Sequence, residues 1–539
     1  MRAAGWLLLL AVALAVRLVL LVRSSWLLEG DDALSTLMAF DVLHGQWPIM
    51  LKNQTYAAAW EPYAMAASYV LFGVSRISAK LPALLGSLAT IGTSWLLART
   101  IAGPVAGWFA AALAALPPVY VLVLGLKPWA PYTEVILLGT LCLVCALRLA
   151  WPGPCPLRAP RSGIHPLRAL RSGIHPLRAP RSGIHQRNGL WALSCGASGG
   201  LAFWMHPLAV WYLLPAALAV LLRARSARVI GLGFLGFAVG ALPVWIFNLQ
   251  TAGATFRFVV SGTSGQTADQ LAVLDAWWNN DLPRGTGLWH PWGPSPPLLA
   301  ALMAVVIAAA LVWALYRRGP LVVVLLFLVT IPTVLVLSGF GGPALNPYGF
   351  DATGRYAPPI WFGLVAVLGA ALAALWQVRR WAALALAAVP LALNLVALGN
   401  VEPLQAFQSP YWDRLPATNE SLLATLRDAG VEAVWLNHWA GAPLMFDARV
   451  RNQPLIAYDW YDVQAGGVDR FPEYRPLVEA AVRPAFILVT EETEPALVRR
   501  LREIQVSFDL YRVPPYVVVI PTSRRVHPSE VTGEIDYRY

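Results

Sequence analysis

Runs of about 17 to 20 apolar residues recur through the first 400 positions of this chain, and each is long enough to cross a bilayer as a helix. Hydrophobic residues make up 58% of the 539 positions and charged residues only 13%, whereas a typical soluble domain is about 25% charged. The chain is therefore predicted to be a polytopic α-helical membrane protein and not an ordinary soluble enzyme. Eleven spans are predicted, near 5–22, 81–98, 105–123, 132–150, 189–205, 207–222, 229–247, 297–316, 320–338, 358–376 and 381–399. The shorter run 62–73 predicts a re-entrant or interfacial helix.

The positions of arginine predict how these spans are oriented. With the N-terminus in the cytoplasm, the short inside segments hold 16 Arg in 61 residues, which is the excess that the positive-inside rule describes. These segments are 1–4, 99–104, 151–188, 223–228, 317–319 and 377–380. An odd number of spans then places the C-terminal tail outside. The predicted location is the cell membrane, with a cytoplasmic N-terminus.

The acidic residues show a second asymmetry. All ten Asp and Glu of residues 1–399 fall on the outer face in this layout: Glu29, Asp31, Asp32, Asp41, Glu61, Glu134, Asp269, Asp275, Asp281 and Asp351. One interpretation is that the inside loops are simply short and basic. The other is that the outer face carries a chemical site, and both stay open at this point.

Two domains are predicted, a membrane domain over 1–399 and an extracytoplasmic domain over 400–539. The first part has a net charge of +16 and the tail one of −5. Candidate strands at 431–438, 454–458, 485–490 and 515–520 alternate with candidate helices at 418–429, 474–482 and 494–505, which indicates a small α/β domain. The tail has no nucleotide-binding motif, and the basic membrane part is typical of loops that face anionic lipid and not of nucleic-acid binding.

The membrane domain contains two long predicted loops. The first outside loop spans 23–80. The predicted cytoplasmic loop 151–188 contains three near-copies of a ten-residue unit over 156–185 (PLRAPRSGIH, PLRALRSGIH, PLRAPRSGIH). This basic repeat is either a binding element for anionic lipid headgroups or a tolerated expansion of the loop, because loop closure costs little extra with length.

Two adjacent carboxylates directly follow the first span. In Glu29-Gly30-Asp31-Asp32, such a pair can supply a general base or oxygen ligands for a divalent cation. The alternative is a turn in which aspartate caps a helix that begins at Ala33.

Four further positions are candidates for binding an anionic or sugar-bearing substrate. Arg17 is a charge well inside a span and must either snorkel or face a polar cavity or an anion. Lys127 and Glu134 place a cation beside a carboxylate in one short outside turn, which suits a lipid phosphate and a sugar hydroxyl; an interfacial anchor is the alternative. His206 precedes the helix-breaking Pro207 and is either a substrate contact or a structural hydrogen bonder.

Arg355-Tyr356 lies in DATGRYAPP, just before the tenth span. Arginine offers a planar fork of donors that matches phosphate. The alternative is an Arg/Tyr pair in the interfacial belt.

Taken in order, these elements resemble the GT-C class of membrane glycosyltransferases. The similarity is to the group of glycosyltransferase family 39, which is related to protein O-mannosyltransferases and aminoarabinose transferases. Asp31-Asp32 is similar to the short acidic motif of the first outside loop in that group, followed by ALSTLMAFDVLHGQWPI. LKPWAPYTEVILLG resembles the second outside loop, which carries a site acid in relatives, and GRYAPP resembles an Arg-Tyr-x-x-Pro element before a late span. Glu61-Pro62 stands where many relatives have Lys-Pro.

The resemblance implies a GT-C fold and an enzyme that moves a sugar from a polyprenyl-phosphate carrier to a glycan, lipid or protein acceptor on the outer face. Asp31 would be the general base and Asp32 its orienter or a metal ligand. Arg355, Lys127 or Arg17 would stabilise the lipid phosphate as the sugar leaves, and Glu134 would hold hydroxyl groups. Glu61, His206 and Tyr356 are further substrate-binding candidates. The class implies a hexosyl- or pentosyltransferase reaction with inversion.

Other functions stay open. A transporter or lipid flippase would place polar groups at the bilayer midplane and often shows inverted repeats, whereas the polar residues here gather at one face. A polymerase or ligase of lipid-linked glycans would share the donor and use another acceptor. No cofactor is predicted; carboxylates can hold a divalent metal, although no His/Asp ligand cluster supports one.

Overall fold

The computed structural model describes residues 2–151, 181–223, 226–264, 270–293, 295–338, 354–409 and 414–531. Helices dominate the first 400 residues, and a small sheet follows them. Helices in this part are Arg2–Arg23, Gly30–Leu43, Trp60–Phe72, Arg76–Ala102, Pro104–Ala115, Val119–Leu124, Tyr132–Ala150, Arg181–Met205, Val210–Arg223, Ala227–Gly240, Leu242–Gln250, Ala254–Ser264, Gln270–Ala276, Leu282–Thr286, Pro297–Arg317, Leu321–Ser338, Pro358–Val378 and Arg380–Gly399, with short helical turns at Pro207–Ala209 and Trp277–Asp281. Residues 156–180 of the decapeptide repeat lie outside the described residues.

Each of the eleven predicted spans falls on helix. Among the described residues, seven helices are long and apolar enough to cross a membrane, and an eighth span exists if the pair Ala227–Gly240 and Leu242–Gln250, bent by 55°, is one span. Three other predicted spans are not long and apolar enough to meet the same criteria. The first, 105–123, is interrupted at Pro117-Pro118, 207–222 yields a 14-residue helix, and 189–205 lies in a helix rich in glycine and serine. The count of eleven stays a prediction.

The chain divides into two compact units. The first comprises Met1–Arg17, Leu84–Leu126 and Pro131–Val401, and the second comprises Leu18–Ala83, Lys127–Ala130 and Glu402–Tyr539. The second unit therefore combines the tail with the first predicted outside loop and with four residues from the turn that contains Lys127.

Close helix packing in the first unit depends on small residues. Helix Arg181–Met205 lies against helix Ala227–Gly240, and a Cβ added to Gly196 would stand 1.9 Å from the carbonyl oxygen of Gly233. A Cβ added to Gly240 would likewise stand 2.3 Å from the carbonyl oxygen of Ala197. Glycine lets the two backbones approach this closely, which is a common way to associate helices inside a bilayer.

The tail in the second unit contains a five-stranded mixed sheet. Its strands are β1 (Ala433–Trp435), β2 (Ile456–Tyr458), β3 (Ala485–Val489), β4 (Phe508–Val513) and β5 (Tyr516–Pro521), in the order β2-β1-β3-β5-β4. β1 is parallel to β2 and β3, whereas β5 is antiparallel to β3 and β4. Helices of the tail are Pro403–Phe407, Glu420–Asp428, His438–Val450, Trp460–Gln464, Arg475–Ala480 and Ala496–Glu503, with a short turn at Pro528–Glu530.

The four strands and three helices predicted in the tail are confirmed, but helices Pro403–Phe407, His438–Val450 and Trp460–Gln464 and strand β4 were missed. Helix His438–Val450 is apolar on most sides, has Pro443 inside and is buried over most of its length, so its sequence shows no amphipathic period. β4 is an edge strand with mostly exposed residues, so it lacks the apolar run of a buried strand.

The core of the second unit joins the first loop to the tail. Helices Gly30–Leu43 and Trp60–Phe72 share one hydrophobic cluster with the sheet and with helix His438–Val450. Within it, the ring of Phe446 lies 6.3 Å from that of Phe40 and 6.5 Å from that of Tyr69. The predicted interfacial run 62–73 is therefore a helix, and one of its faces packs in this core.

Candidate functional site

The acidic segment after the first helix begins a new helix. Glu29 is the extended N-cap residue, and Gly30–Leu43 follows with Asp31 and Asp32 in its first turn. Neither aspartate is the cap, and Glu29 makes no side-chain capping bond, so the capping alternative does not describe this turn. A Cβ on Gly30 would stand 2.9 Å from the Cα of Trp439. Glycine thus allows the start of this helix to lie directly against the start of helix His438–Val450.

Asp32 forms a buried ion pair with Lys80. The Nζ of Lys80 lies 2.6 Å from Oδ2 of Asp32, and both side chains are 0% exposed. The ammonium group also lies 5.1 Å from the centroid of the Phe407 ring. Burial raises the pKa of Asp32, and the positive charge of Lys80 opposes this shift. Asp32 therefore holds the helix in place and is not accessible to a substrate.

Glu29 forms a second buried pair, with Lys127. The Nζ of Lys127 lies 3.4 Å from Oε2 of Glu29 and donates a hydrogen bond of 3.1 Å to the carbonyl oxygen of Gln408. Burial raises the pKa of Glu29 to about 7, opposed by Lys127 and reinforced by Asp32 and Asp31. Lys127, predicted as a phosphate ligand, is thus engaged by groups of its own unit.

This raised pKa leads to a prediction about stability. In the pH window from about 4.5 to 7, Glu29 is protonated in the folded protein and ionised in the unfolded chain, so the free energy of unfolding of the native protein falls as pH rises. Glu29→Gln removes this titration. The stability of Glu29→Gln relative to the native protein is therefore expected to increase with pH through this window, by at most about 1.4 kcal/mol per pH unit.

Chemical unfolding in detergent at several pH values would measure this difference. Glu491→Gln, which changes an exposed glutamate, is the matched control and should show no such trend. A difference between Glu29→Gln and the native protein that is constant from pH 4.5 to 8 would contradict the prediction.

Asp31 is the accessible carboxylate of the segment. Its side chain is 13% exposed, and Oδ1 lies 2.9 Å from Nη2 of Arg470 and 3.7 Å from Nε2 of His438. The backbone N–H of His438 donates to Oδ2 of Asp459 at 2.7 Å. Burial lowers the pKa of His438, Asp31 opposes this shift and Arg470 adds to it. Asp31 is therefore a carboxylate held by an arginine and flanked by an imidazole whose neutral form is favoured.

A small pocket lined by both polar and apolar residues lies beside these groups. It has a volume of about 20 Å³, and its lining includes His438, Asp459, Asp462, Asp469 and Arg470. A polar cavity needs roughly 10–15 Å³ to hold one water molecule. The pocket therefore has room for a water molecule or a single hydroxyl group next to the partners of Asp31.

All three lysines of the chain pair with carboxylates of residues 29–41. Besides the two buried pairs, Nζ of Lys52 lies 2.8 Å from Oδ2 of Asp41 and 2.5 Å from Oε1 of Glu473. The chain has 37 arginines and only three lysines. The rarity of lysine in the sequence therefore pointed to these three positions. Lys80, Glu29, His438 and Arg470 were not predicted as site residues.

Glu61 lies in the same unit as the acidic segment. It is in the first turn of helix Trp60–Phe72 and is 4% exposed. Its role as a substrate-binding residue stays a prediction.

Arg17 and His206, both in the first unit, make contacts within the protein. Nε of Arg17 donates to Oγ of Ser87 at 2.9 Å, and Nη1 donates to the carbonyl oxygens of Ala13 and Ala115, both at 3.0 Å. His206 is fully buried, and its Nδ1 accepts a hydrogen bond from the backbone N–H of Leu208 at 3.2 Å. The Arg17 guanidinium and Nδ1 of His206 are therefore engaged by protein groups.

The Arg-Tyr element lies near a second arginine that the sequence did not indicate. Gly354 has a φ of +60°, and a Cβ there would stand 2.7 Å from Nη1 of Arg284. Arg284 is buried, donates to the hydroxyl of Tyr120 at 3.0 Å and lies over the Tyr120 ring. Arg355 is half-buried and directly follows Gly354, and Tyr356 is 6% exposed. Arg355 thus belongs to a turn that the guanidinium group of Arg284 also contacts.

Glu134 is in the first turn of helix Tyr132–Ala150 and is half-buried. Its Oε1 lies 3.6 Å from the position that a Cβ on Gly86 would take. The small residue opposite therefore leaves space beside this carboxylate.

The described residues include no group of three or more His, Cys, Asp or Glu side chains arranged to hold a metal ion. In the acidic segment, the Lys80 and Lys127 ammonium groups lie against carboxylate oxygens that a cation would use.

The fold is that of the GT-C class of membrane glycosyltransferases, as the sequence predicts. No protein-family model matches the sequence, and no curated protein matches it either. The apo structure of ArnT from Cupriavidus metallidurans is similar with a TM-score of 0.62 at 14% identity, over 96% of this chain and 98% of that chain. ArnT bound to undecaprenyl phosphate is similar with a TM-score of 0.59 at 14% identity, over 97% and 99% of the two chains. The arabinofuranosyltransferase AftD from Mycobacteria has a TM-score of 0.50 at 16% identity, over 96% of this chain and 42% of that chain.

Proposed function

We propose that this protein is a membrane glycosyltransferase that moves a sugar from a polyprenyl-phosphate carrier to an acceptor hydroxyl on the outer face of the membrane. The observation that carries the proposal is the environment of Asp31. This partly exposed carboxylate lies in the first turn of helix Gly30–Leu43, and its Oδ1 is 2.9 Å from Nη2 of Arg470. The GT-C fold supports the reaction class, and the undecaprenyl phosphate bound to the similar ArnT supports the donor.

In the proposed reaction, Asp31 accepts the proton of the acceptor hydroxyl as its oxygen attacks the anomeric carbon. The bond between that carbon and the phosphate oxygen breaks, and the electron pair leaves with the lipid phosphate. General base catalysis of this kind contributes typically 10²–10⁴-fold to a rate. Attack from the side opposite the phosphate would give inversion, which is the expected course for the class.

Asp32 is proposed to position Asp31 and not to react. Its buried pair with Lys80 fixes the first turn of helix Gly30–Leu43, and Asp31 is the preceding residue of that turn. The pocket beside His438 and Arg470 is proposed to admit the attacking hydroxyl, because it has the size of a single hydroxyl group and lies next to the partners of Asp31.

Arg355 is the proposed ligand of the departing phosphate, and Arg284 lies near the same turn. A guanidinium group stabilises negative charge that develops on a leaving phosphate oxygen. Arg17 and Lys127 are the other candidates for this role, and their nitrogen atoms form hydrogen bonds or ion pairs with protein groups. Glu134 is proposed to bind sugar hydroxyl groups.

Arg355→Ala is expected to raise the KM for the lipid donor by about tenfold or more, because a charge-assisted hydrogen bond of roughly 1.5–3 kcal/mol is lost. The KM for the acceptor should change little. Steady-state transfer at varied donor and varied acceptor would measure both constants. Arg257→Ala, which changes an exposed arginine of the same unit, is the matched control. Equal losses for donor and acceptor would contradict a phosphate role.

The proposal also fixes an orientation, with a cytoplasmic N-terminus and with residues 400–539 on the outer side. Protease treatment of sealed inverted and right-side-out vesicles would test it. Digestion of a tag placed after Tyr539 only in right-side-out vesicles is the expected result.

The direct test is the transfer of radiolabel from polyprenyl-phosphate sugars in membranes that express the chain. Label that appears in a glycan, lipid or protein, and that is absent with Asp31→Asn, would establish the activity and identify the acceptor class. If no label moves from any donor in a broad panel while lipid flipping or solute uptake depends on the chain, the transporter alternative holds.

A further inference from the structure

An apolar cavity lies inside the first unit, far from the acidic segment in sequence. It has a volume of about 380 Å³ and is bounded by parts of helices Tyr132–Ala150, Arg181–Met205, Val210–Arg223 and Ala227–Gly240. Pockets of about 300–1,000 Å³ are typical of sites that hold small organic ligands. Small side chains create the space, among them Ala192, Gly196, Ala216, Ala217 and Gly233.

The cavity opens towards the surface of the helical bundle. Its inner wall is buried, with Ala192 at 1% and Ala216 at 2% exposure, whereas Phe234 at its mouth is 73% exposed and Leu221 is 51% exposed. Exposed apolar residues on membrane-spanning helices face lipid chains, which are as apolar as leucine. A hydrocarbon chain can therefore enter from the side without losing its apolar surroundings.

The helices that line the cavity carry arginines at one common end. Arg148 is in the last turn of helix Tyr132–Ala150, Arg223 ends helix Val210–Arg223, and Arg228 is in the first turn of helix Ala227–Gly240. All three are exposed. Leu149 and Val229, which line the cavity, are sequence neighbours of Arg148 and Arg228. The apolar space therefore ends beside a cluster of positive charge.

Tryptophan rings lie beside two of these arginines. The guanidinium of Arg223 lies 4.7 Å from the ring centroid of Trp151, and that of Arg148 lies 5.9 Å from that of Trp191. Tryptophan prefers the level of lipid headgroups. The sequence contains no Asp or Glu from Val135 to Ala268, so no carboxylate from this stretch neutralises the arginines.

From this geometry we infer that the cavity is a binding site for one anionic glycerophospholipid of the bilayer. One acyl chain occupies the apolar space between the four helices, and the phosphate group lies at the arginine end. Charge complementarity favours an anionic headgroup over a zwitterionic one, because the excess cation would repel choline. This site is separate from the proposed transfer chemistry and does not depend on it.

Native mass spectrometry of the full-length protein tests this inference. The protein is incubated with phosphatidylglycerol or phosphatidylcholine of identical acyl chains, and the bound copies are counted. Because arginines near a membrane surface attract anionic lipids, the native protein should retain phosphatidylglycerol roughly tenfold or more over phosphatidylcholine. The double variant Arg223→Gln/Arg228→Gln should lose this preference.

Two filling variants test the apolar part of the site. Ala216→Phe places a ring in the buried wall of the cavity. Ala217→Phe places a ring at an exposed position of the same cavity, where it should destabilise the protein less. Both should lose the retained lipid copy. Arg317→Gln is the matched control, since Arg317 is an exposed arginine at a helix end beside a tryptophan but outside the cavity. Gel filtration and circular dichroism verify that each variant is folded.

Retention that survives in a folded Ala217→Phe variant would overturn the inference, because the lipid would then lie on the basic surface and not in the cavity. An unchanged preference in the double arginine variant would overturn the headgroup assignment. Equal retention of both lipids by the native protein would do the same.

Discussion

Asp31→Asn is expected to lower the rate of sugar transfer by about 10²–10⁴-fold while the protein stays folded in the membrane. Asparagine has the shape of aspartate but cannot accept the proton of the acceptor hydroxyl. The side chain of Asp31 is partly exposed, and so is that of its partner Arg470. The loss of the charge on Asp31 should therefore cost little stability. Radiolabel transfer in membranes, corrected for the amount of protein, measures the effect.

Two variants make this result specific. Asp41→Asn changes another aspartate of the same helix, one that pairs with Lys52, and should leave transfer nearly intact. Asp32→Asn removes the charge of the buried pair and should act mainly on stability. If Asp31→Asn transfers sugar at the native rate while folded Asp32→Asn does not, the assignment of the base is wrong.

Lys80→Met is expected to reduce the free energy of unfolding by roughly 3–5 kcal/mol at neutral pH, because it leaves a buried carboxylate without its partner. Both side chains of the pair are 0% exposed, so water cannot replace the lost ammonium group. Without Lys80, the pKa of Asp32 rises further above its ordinary value. The destabilisation should therefore grow as pH increases. Thermal and chemical unfolding in detergent at pH 5 and pH 8 would measure it.

The double variant Asp32→Asn/Lys80→Met is the critical comparison. Removal of both charges should recover most of the lost stability, since breaking a buried pair costs more than replacing it by uncharged groups. Lys52→Met is the matched control. Its side chain is 24% exposed, so its loss should cost about 1 kcal/mol or less. A Lys80→Met variant as stable as Lys52→Met would contradict the importance of burial.

Local patterns in the sequence were sufficient to predict a polytopic α-helical protein with a small α/β tail, whereas the GT-C fold was predicted from the family resemblance. The apolar runs predicted helices because length and hydropathy are local properties, and every predicted run falls on helix. The four predicted strands of the tail are short apolar segments between turn residues. Helix His438–Val450 and strand β4 were missed because a helix buried on most sides and an edge strand do not show the periods of amphipathic elements.

The site itself could be predicted only in part. Asp31 and Asp32 were predicted because two adjacent carboxylates directly follow the first span, a pattern that a stretch of four residues reveals. Arg470 and His438, which lie against Asp31, come from positions more than 400 residues further along. Nothing in the sequence around Arg470 distinguishes it from the other 36 arginines. Long-range contacts of this kind leave no local pattern.

The scarcity of lysine was the one usable signal that was not followed far enough. Lys52, Lys80 and Lys127 each pair with a carboxylate of residues 29–41. A compact ammonium group fits a narrow buried space, whereas a guanidinium is broad and planar. The use of lysine beside residues 29–41, in a chain that otherwise uses arginine, therefore indicates that these carboxylates have space for only a small cation.

The shared core of the second unit has a consequence for how the protein is made. Helix Gly30–Leu43 packs on helix His438–Val450, which the ribosome completes about 400 residues later. At 5–20 residues per second, this interval lasts roughly 20 to 80 s. Through all of it, Leu34, Leu37 and Met38 lack the tail residues that complete their burial in the finished protein. Until the last quarter of the chain has emerged, helix Trp60–Phe72 is therefore the partner within this core that can cover the early helix.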